Sequence, residues 1–155
     1  MTTLSAAELQ QKIKNGEMIN ACNLDGLELQ GCNLSGGIFQ DVSLLGANLQ
    51  AANLHETVFN ECLLNGGTLS GARMQQSVFN DCEMTAISAC DTLMAQCIFN
   101  HCELGNGDFS RSRFDACQFM RSRYPAAPST SPRWNVLLSS RARWMRRNWS
   151  SASAC

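Results

Sequence analysis

Proline is scarce in this chain, three residues in 155, and only 16% of residues are charged. No run of 18 apolar residues occurs, which leaves no segment expected to cross a membrane as a helix. The first residues show no basic start followed by an apolar stretch, so a signal peptide is not expected and a cytoplasmic location is. The nine cysteines are an odd number without a C-x-x-C pair, which argues against a disulfide framework. There are two histidines, His55 and His101, and no P-loop, G-x-S-x-G or H-E-x-x-H pattern. Neither histidine is held beside a carboxylate by a motif. The expectation is a protein that is not an enzyme and takes no metal or cofactor.

Charge is scarce but sharply divided. Residues 1–119 carry 13 acidic and 5 basic side chains, a net charge of −8. Residues 120–155 carry 7 arginines and no acid. The overall net charge of −1 conceals an acidic body and a basic tail.

What the chain has in abundance is a period. From Leu24 to Phe119 every fifth residue is large and apolar, with Ala89 the single exception: Leu24, Leu29, Leu34, Phe39, Leu44 and so on through twenty units without an insertion. Two residues before each stands a mostly small one, such as Cys22, Cys32, Gly37, Ala47, Ala52 and Cys62. A period of five fits neither a helix nor a flat strand, so the chain must turn a corner every five residues. Gly26, Gly31, Gly36, Gly46, Gly66 and Gly71 share one repeat position, the corner, where turn formation accounts for them. Phenylalanine recurs every twenty residues, at Phe39, Phe59, Phe79, Phe99 and Phe119. A coil therefore closes after four units, like residues stack, and the rod holds about five coils at a strand spacing of about 4.8 Å. At Ala89 the large position is small and at Ile87 the small position is large, a neighbouring and compensating exchange. Seven cysteines fall at the small inward position and are expected to be buried and reduced; Cys90 and Cys155 are expected to be accessible.

The units Ala47-Asn48-Leu49-Gln50-Ala51, Ala52-Asn53-Leu54-His55-Glu56 and Cys22-Asn23-Leu24-Asp25-Gly26 resemble the pentapeptide-repeat proteins, whose pattern is A/C-D/N-L/F-x-x. The resemblance covers residues 21–124. It implies an all-β solenoid, a right-handed, four-sided parallel β-helix. It says little about function, since a fold of this kind carries several.

Three segments are expected: a capping helix within residues 1–20, the repeat body at 21–124 and a Pro/Ser/Arg-rich tail at 125–155. Ser5-Ala-Ala-Glu8 is a capping box, Leu9 and Ile13 are one helical repeat apart and Gly16 is a stop signal. This helix is expected to close the open end of the coil through Leu4, Leu9 and Ile13. In the tail, Trp134, Leu138, Ala142, Met145 and Trp149 suit one face of an amphipathic helix. Four readings of the tail stand open: a lid on the C-terminal end, a homodimer contact through that end (Trp134, Leu138, Met145, Trp149), a basic element for a membrane or nucleic-acid surface, and a disordered segment.

The outer faces carry the functional information. Ile38, Val58, Val78 and Ile98 precede the phenylalanine column and form an aliphatic ladder. Asp41, Glu61 and Asp81 form an acidic row at the corner beyond it, and Glu83 and Glu103 follow on the next face. A continuous exposed apolar strip marks a partner surface, although β-branched residues also suit any stacked strand. The expected function is a bacterial protein-binding scaffold or adaptor, similar to pentapeptide proteins that accompany secretion-system effectors and spikes. The partner is a protein, and the body itself is not expected to bind nucleic acid. The alternative is a DNA mimic that binds a type II topoisomerase, as the quinolone-resistance members of the family do. The acidic row favours that alternative, and the short rod and basic tail count against it.

Overall fold

The protein is described by a computed structural model, which defines residues 4–123 and 133–138, the last six by their backbone alone. Its architecture follows from one recurring backbone conformation. Every fifth residue from Gly16 to Arg121 has a left-handed φ, between 47° and 74°. Only seven of these corner residues are glycine; the others include Ala51, Glu61, Asp81, Ala86 and His101. Many of these corners sit in a short hydrogen-bonded turn, as where Leu27 N–H donates to Leu24 O at 3.2 Å, with the left-handed residue third of four. Turning every five residues brings the chain back over itself after twenty.

Successive coils are then joined by parallel backbone pairing. Leu24 N–H donates to Ser43 O at 2.7 Å, and Ser43 N–H donates back to Cys22 O at 3.0 Å. Strands β1 (Ile19–Asn20), β2 (Ile38–Gln40), β3 (Val58–Asn60), β5 (Val78–Asn80) and β7 (Ile98–Asn100) form one ladder, with Phe39, Phe59, Phe79 and Phe99 in direct register. A second ladder joins β4 (Arg73–Gln75) to β6 (Leu93–Ala95). Both ladders meet on β8 (Arg113–Met120). Single bridges form two further columns, Asn23–Ser43–Leu63–Glu83–Glu103–Arg123 and Glu28–Asn48–Thr68–Ser88–Asp108. The result is the expected parallel β-solenoid of about five coils.

The interior is a set of stacked columns. The five phenylalanine rings lie 4.7–5.0 Å apart, centroid to centroid, with neighbouring planes within 12°. The exchange at Ala89 and Ile87 is compensatory as expected. Both are buried, and in the next coil Gly107 and the buried Phe109 restore the usual order. A Cβ on Gly107 would stand 2.7 Å from the Phe109 ring and 3.4 Å from Ile87 Cγ1, so that position has no room for a side chain.

The small inward position has a second role that size alone does not reveal. Its hydroxyl or thiol donates to the carbonyl of the large residue one coil earlier: Thr57 to Leu34 O at 3.2 Å, Thr92 to Leu69 O at 3.0 Å, Cys82 to Phe59 O at 3.4 Å, Cys102 to Phe79 O at 3.3 Å and Cys117 to Met94 O at 3.1 Å. The buried cysteines are thus small apolar groups that also act as donors.

Both ends are covered. Helix α1 (Ala6–Lys14) begins at the Ser5 cap, where the Ser5–Glu8 capping box is formed, and buries Leu9 and Ile13; half-buried Leu4 packs beside them. Ile13 Cδ1 lies 3.2 Å from where a Cβ on Gly37 would stand, so the helix rests directly on the first coil. At the other end β9 (Arg133–Leu138) pairs in parallel with β8, with Trp134 opposite Phe114 and Leu138 opposite Phe119. This corrects the helical reading of the tail at its start. Trp134 follows Phe114 by twenty residues, and the open edge of β8 offers unpaired backbone groups that a strand satisfies and a helix does not. Met145 and Trp149 lie outside the described residues.

Phe79 tests the stacking. Phe79→Ala is expected to lower unfolding free energy by about 3–5 kcal/mol, through lost burial and the cavity left between two rings. A shift below about 0.5 kcal/mol in urea titration, the size typical of an exposed residue, would contradict the column.

Candidate functional site

The ladder strands place the expected surface residues in rows. Ile38, Val58, Val78 and Ile98 are direct register partners, and Gln118 continues the row. Ile38 is 44% exposed, and Val58, Val78 and Ile98 are half-buried. The row extends further than the repeat suggested. Met18 precedes Ile19, the register partner of Phe39, and is 55% exposed. Around the corner Leu63 is 36% exposed and bridges Ser43 and Glu83. The apolar surface thus spans the first coils of the rod.

A row of side-chain amides separates the aliphatic ladder from the acidic row. Gln40, Asn60, Asn80 and Asn100 are in register, and Asn80 Nδ2 donates to Asn60 Oδ1 at 2.8 Å. Stacked amides bond along the rod and fix the coils against each other. The signal was legible as a twenty-residue recurrence of Asn and Gln one place after the phenylalanines.

The corner residues Asp41, Glu61 and Asp81 are exposed and stacked, each N–H donating to the carbonyl one coil on (Asn60, Asn80, Asn100) at 2.9–3.0 Å. Among the described residues Asp41 and Glu61 have no ion-pair partner. Asp81 Oδ1 lies 3.6 Å from His101 Nδ1, and Arg121 Nη1 lies 3.4 Å from His101 Nε2. On the next face Glu83 is exposed and accepts from Asn65 Nδ2 at 3.0 Å, while Glu103 Oε1 pairs with Arg123 Nε at 3.5 Å. The acidic row is therefore open over its first coils, and His101, Arg121 and Arg123 stand at its C-terminal end. Asp91 is the contrast. Arg111 donates to it twice, at 2.7 and 2.8 Å, and holds its carboxyl below the usual carboxylate range.

Both histidines do have carboxylate neighbours, which the sequence did not signal. His55 Nε2 lies 3.3 Å from Glu56 Oε1, one residue on, and Asp81 reaches His101 from the previous coil. Neither pair faces a nucleophile. The Cys102 thiol next to His101 points inward to Phe79 O. The interior thiols are buried and donate to backbone carbonyls, and they divide by their neighbours: Cys62, Cys102 and Cys117 are lowered by the thiol stacked on each, while Cys82 and Cys97 are raised. The neighbouring Cys102 and Cys62 thiols, and then burial, push the Cys82 thiol well above its ordinary range. The Cys117 thiol and burial do the same for Cys97. Among the described residues no group of His, Cys, Asp and Glu is placed to hold a metal, and no helix is long and apolar enough to cross a membrane.

The fold and its stacked rows define the chain as a parallel β-solenoid built on five-residue units. Residues 18–89 match the family model described as a pentapeptide repeat region. Over these residues the chain carries the pentapeptide repeat, as its units suggested. Its structure resembles a trypsin-treated form of QnrB1, a plasmid-mediated fluoroquinolone resistance protein, with 12% identity, a TM-score of 0.65, and coverage of 87% of this chain and 89% of that one. It also resembles HetL, a pentapeptide repeat protein involved in heterocyst differentiation regulation from the cyanobacterium Nostoc sp. strain PCC 7120, with 13% identity, a TM-score of 0.49, and coverage of 77% and 70%. No curated protein matches the chain in sequence.

Thiol accessibility checks this register. Cys32 and Cys90 are half-buried, whereas Cys22, Cys62, Cys82, Cys97, Cys102 and Cys117 are buried. Cys32 thus joins Cys90 as an accessible thiol, beyond the sequence expectation; Cys155 lies outside the described residues. Burial, then Asp108, raises the Cys90 thiol, so its alkylation is expected to accelerate as pH rises above the ordinary thiol range. Native-state peptide mapping should find Cys32 and Cys90 labelled and the six buried cysteines unlabelled. Rapid labelling of Cys82 without denaturant would contradict the inward register.

Proposed function

We propose that the protein is a non-enzymatic protein-binding scaffold whose contact surface is the outer edge of the phenylalanine column. One observation carries this reading. An in-register aliphatic ladder, Ile38 to Ile98 with Met18 before it, runs beside a row of carboxylates that includes the unpaired Asp41 and Glu61. Contiguous apolar surface bordered by charge is the composition of a partner surface: the apolar strip supplies affinity and the charge row supplies orientation and rate. The amide row and the stacked rings beneath hold both rows fixed, so little conformational freedom is lost on binding. The reading keeps the cytoplasmic setting expected from the sequence. Reduced thiols are normal there, and all eight described cysteines are unpaired.

A second reading is DNA mimicry toward a type II topoisomerase. The stacked carboxylates favour it, and the closure of their row by His101 and Arg121 limits its length to about three strand spacings. The likeness to QnrB1 is one of fold and adds nothing to either reading.

The two are separated by charge and by shape. Under the scaffold reading, Val58→Lys with Val78→Lys abolishes capture of the native partner, and the Asp41→Asn, Glu61→Asn, Asp81→Asn variant retains it. Under mimicry the Asn variant loses purified gyrase, and wild-type binding weakens steeply between 50 and about 500 mM salt, where exposed charges are screened. Mass spectrometry of captured proteins, with secretion components or gyrase subunits as the informative outcomes, names the partner. Retention of every partner by both variants would contradict the choice of this edge.

A further inference from the structure

We propose that in the free protein this edge is covered by a second copy of the chain, packed side by side with the two rods running in opposite directions. The inference rests on the scaffold reading of the edge and adds what occupies it before a partner does.

The order of charge along the corner row carries it. Asp41, Glu61, Asp81, His101 and Arg121 stack one per coil. Their backbones are tied by Asp41 N–H to Asn60 O, Glu61 N–H to Asn80 O, Asp81 N–H to Asn100 O and His101 N–H to Met120 O. All five are exposed. The row therefore runs from carboxylate to guanidinium, and in reverse order it is its own complement. Consider a two-fold axis that crosses the rod at the level of Val78. It sets the same rows of two copies opposite each other with their coils in reverse order. Asp41 then faces Arg121 of the second copy, and Glu61 faces its His101, each contact occurring twice by symmetry. Asp81 faces its own copy, and each of those carboxylates keeps His101 Nδ1 of its own chain at 3.6 Å. Asp41 and Glu61 have no ion pair among the described residues, so the second copy supplies what they lack.

The two neighbouring rows accept the same axis. In the ladder Val58 faces Ile98, Val78 faces itself and Ile38 faces Gln118, so most of the apolar strip meets apolar surface. In the amide row Asn60 faces Asn100 and Asn80 faces itself, and an amide offers its like both a donor and an acceptor. An axis along the rod would instead set Asp41 and Glu61 level with their own copies and give them no cation. From β1 to β8 this side is about 24 Å long, and its five residues per coil make it about 17 Å wide. That lies at the low end of specific interfaces, so the dimer dissociates on dilution and a partner can displace the second copy.

Sedimentation velocity of the purified full chain is expected to show a dimer that grows with concentration at low salt. It should weaken in about 1 M NaCl, where electrostatic reach falls to about 3 Å. Asp41→Arg alone and Arg121→Asp alone each bring like charges face to face and should weaken dimerisation at least about tenfold; the two changes together should restore it. Cross-linking tests the axis itself. With Cys32, Cys90 and Cys155 changed to serine, Val78→Cys should be joined to its own copy by a short bifunctional maleimide. Thr68→Cys, two units away along the coil, should not. A chain that stays monomeric across the concentration series would overturn the proposal. So would a dimer indifferent to the charge changes, or one that cross-links at Thr68→Cys as readily as at Val78→Cys, since either would mark another face. Partner capture is read separately. A monomer here leaves the scaffold reading standing, and loss of capture with this dimer intact does the reverse.

Discussion

The structure depends on a left-handed corner repeated every fifth residue. For residues other than glycine that conformation costs about 1–2 kcal/mol each, because Cβ approaches a carbonyl oxygen. Fifteen of the corners described accept the cost. The return is that a chain turning at fixed intervals closes at twenty residues, and closure fixes the register of every column at once. A slip of one residue would move the inward Phe79 outward and the outward-facing, half-buried Val78 inward, as in any strand with two faces. Inter-coil hydrogen bonding and burial of the stacked columns offset the corner strain cooperatively, since neither forms without the other.

That constraint also explains the chemistry of the interior. Each small inward residue lies against the carbonyl of the coil before it, so a side chain that is small and can donate fits best. Serine, threonine and cysteine satisfy both demands at Ser77, Thr92 and Cys102. Buried thiols that donate to backbone carbonyls are shielded from reagents in solution. A core of this kind leaves function to the surface, where the same register converts single residues into rows: aliphatic, amide and acidic, side by side along one edge.

Much of this was legible in the sequence because the period is strict. The coil length, the inward residues, the capping helix with Leu9 and Ile13, and the compensation at Ala89 and Ile87 all follow from counting. The rows at Ile38 and Asp41 were legible for the same reason. Other features depend on contacts that spacing alone does not show. The Asp81–His101 pair joins residues one coil apart through side-chain reach. The tail misled because Trp134 and Leu138 satisfy helical spacing, while the unpaired edge of β8 decides in favour of a strand.

The corner claim is tested most directly by exchanging residues at two stacked corners, Gly66 and Ala86. A Cβ on Gly66 would meet nothing within 4 Å, so only its φ of +69° can penalise a side chain. Ala86 holds a φ of +54° in the next coil. The account predicts that Gly66→Ala lowers unfolding free energy by about 1 kcal/mol, and that Ala86→Gly does not lower it. Equilibrium urea unfolding of both variants measures this. The ordinary ranking, with alanine the more stabilising residue at both corners by about 0.5–1 kcal/mol, would contradict the left-handed corner as the basis of the fold.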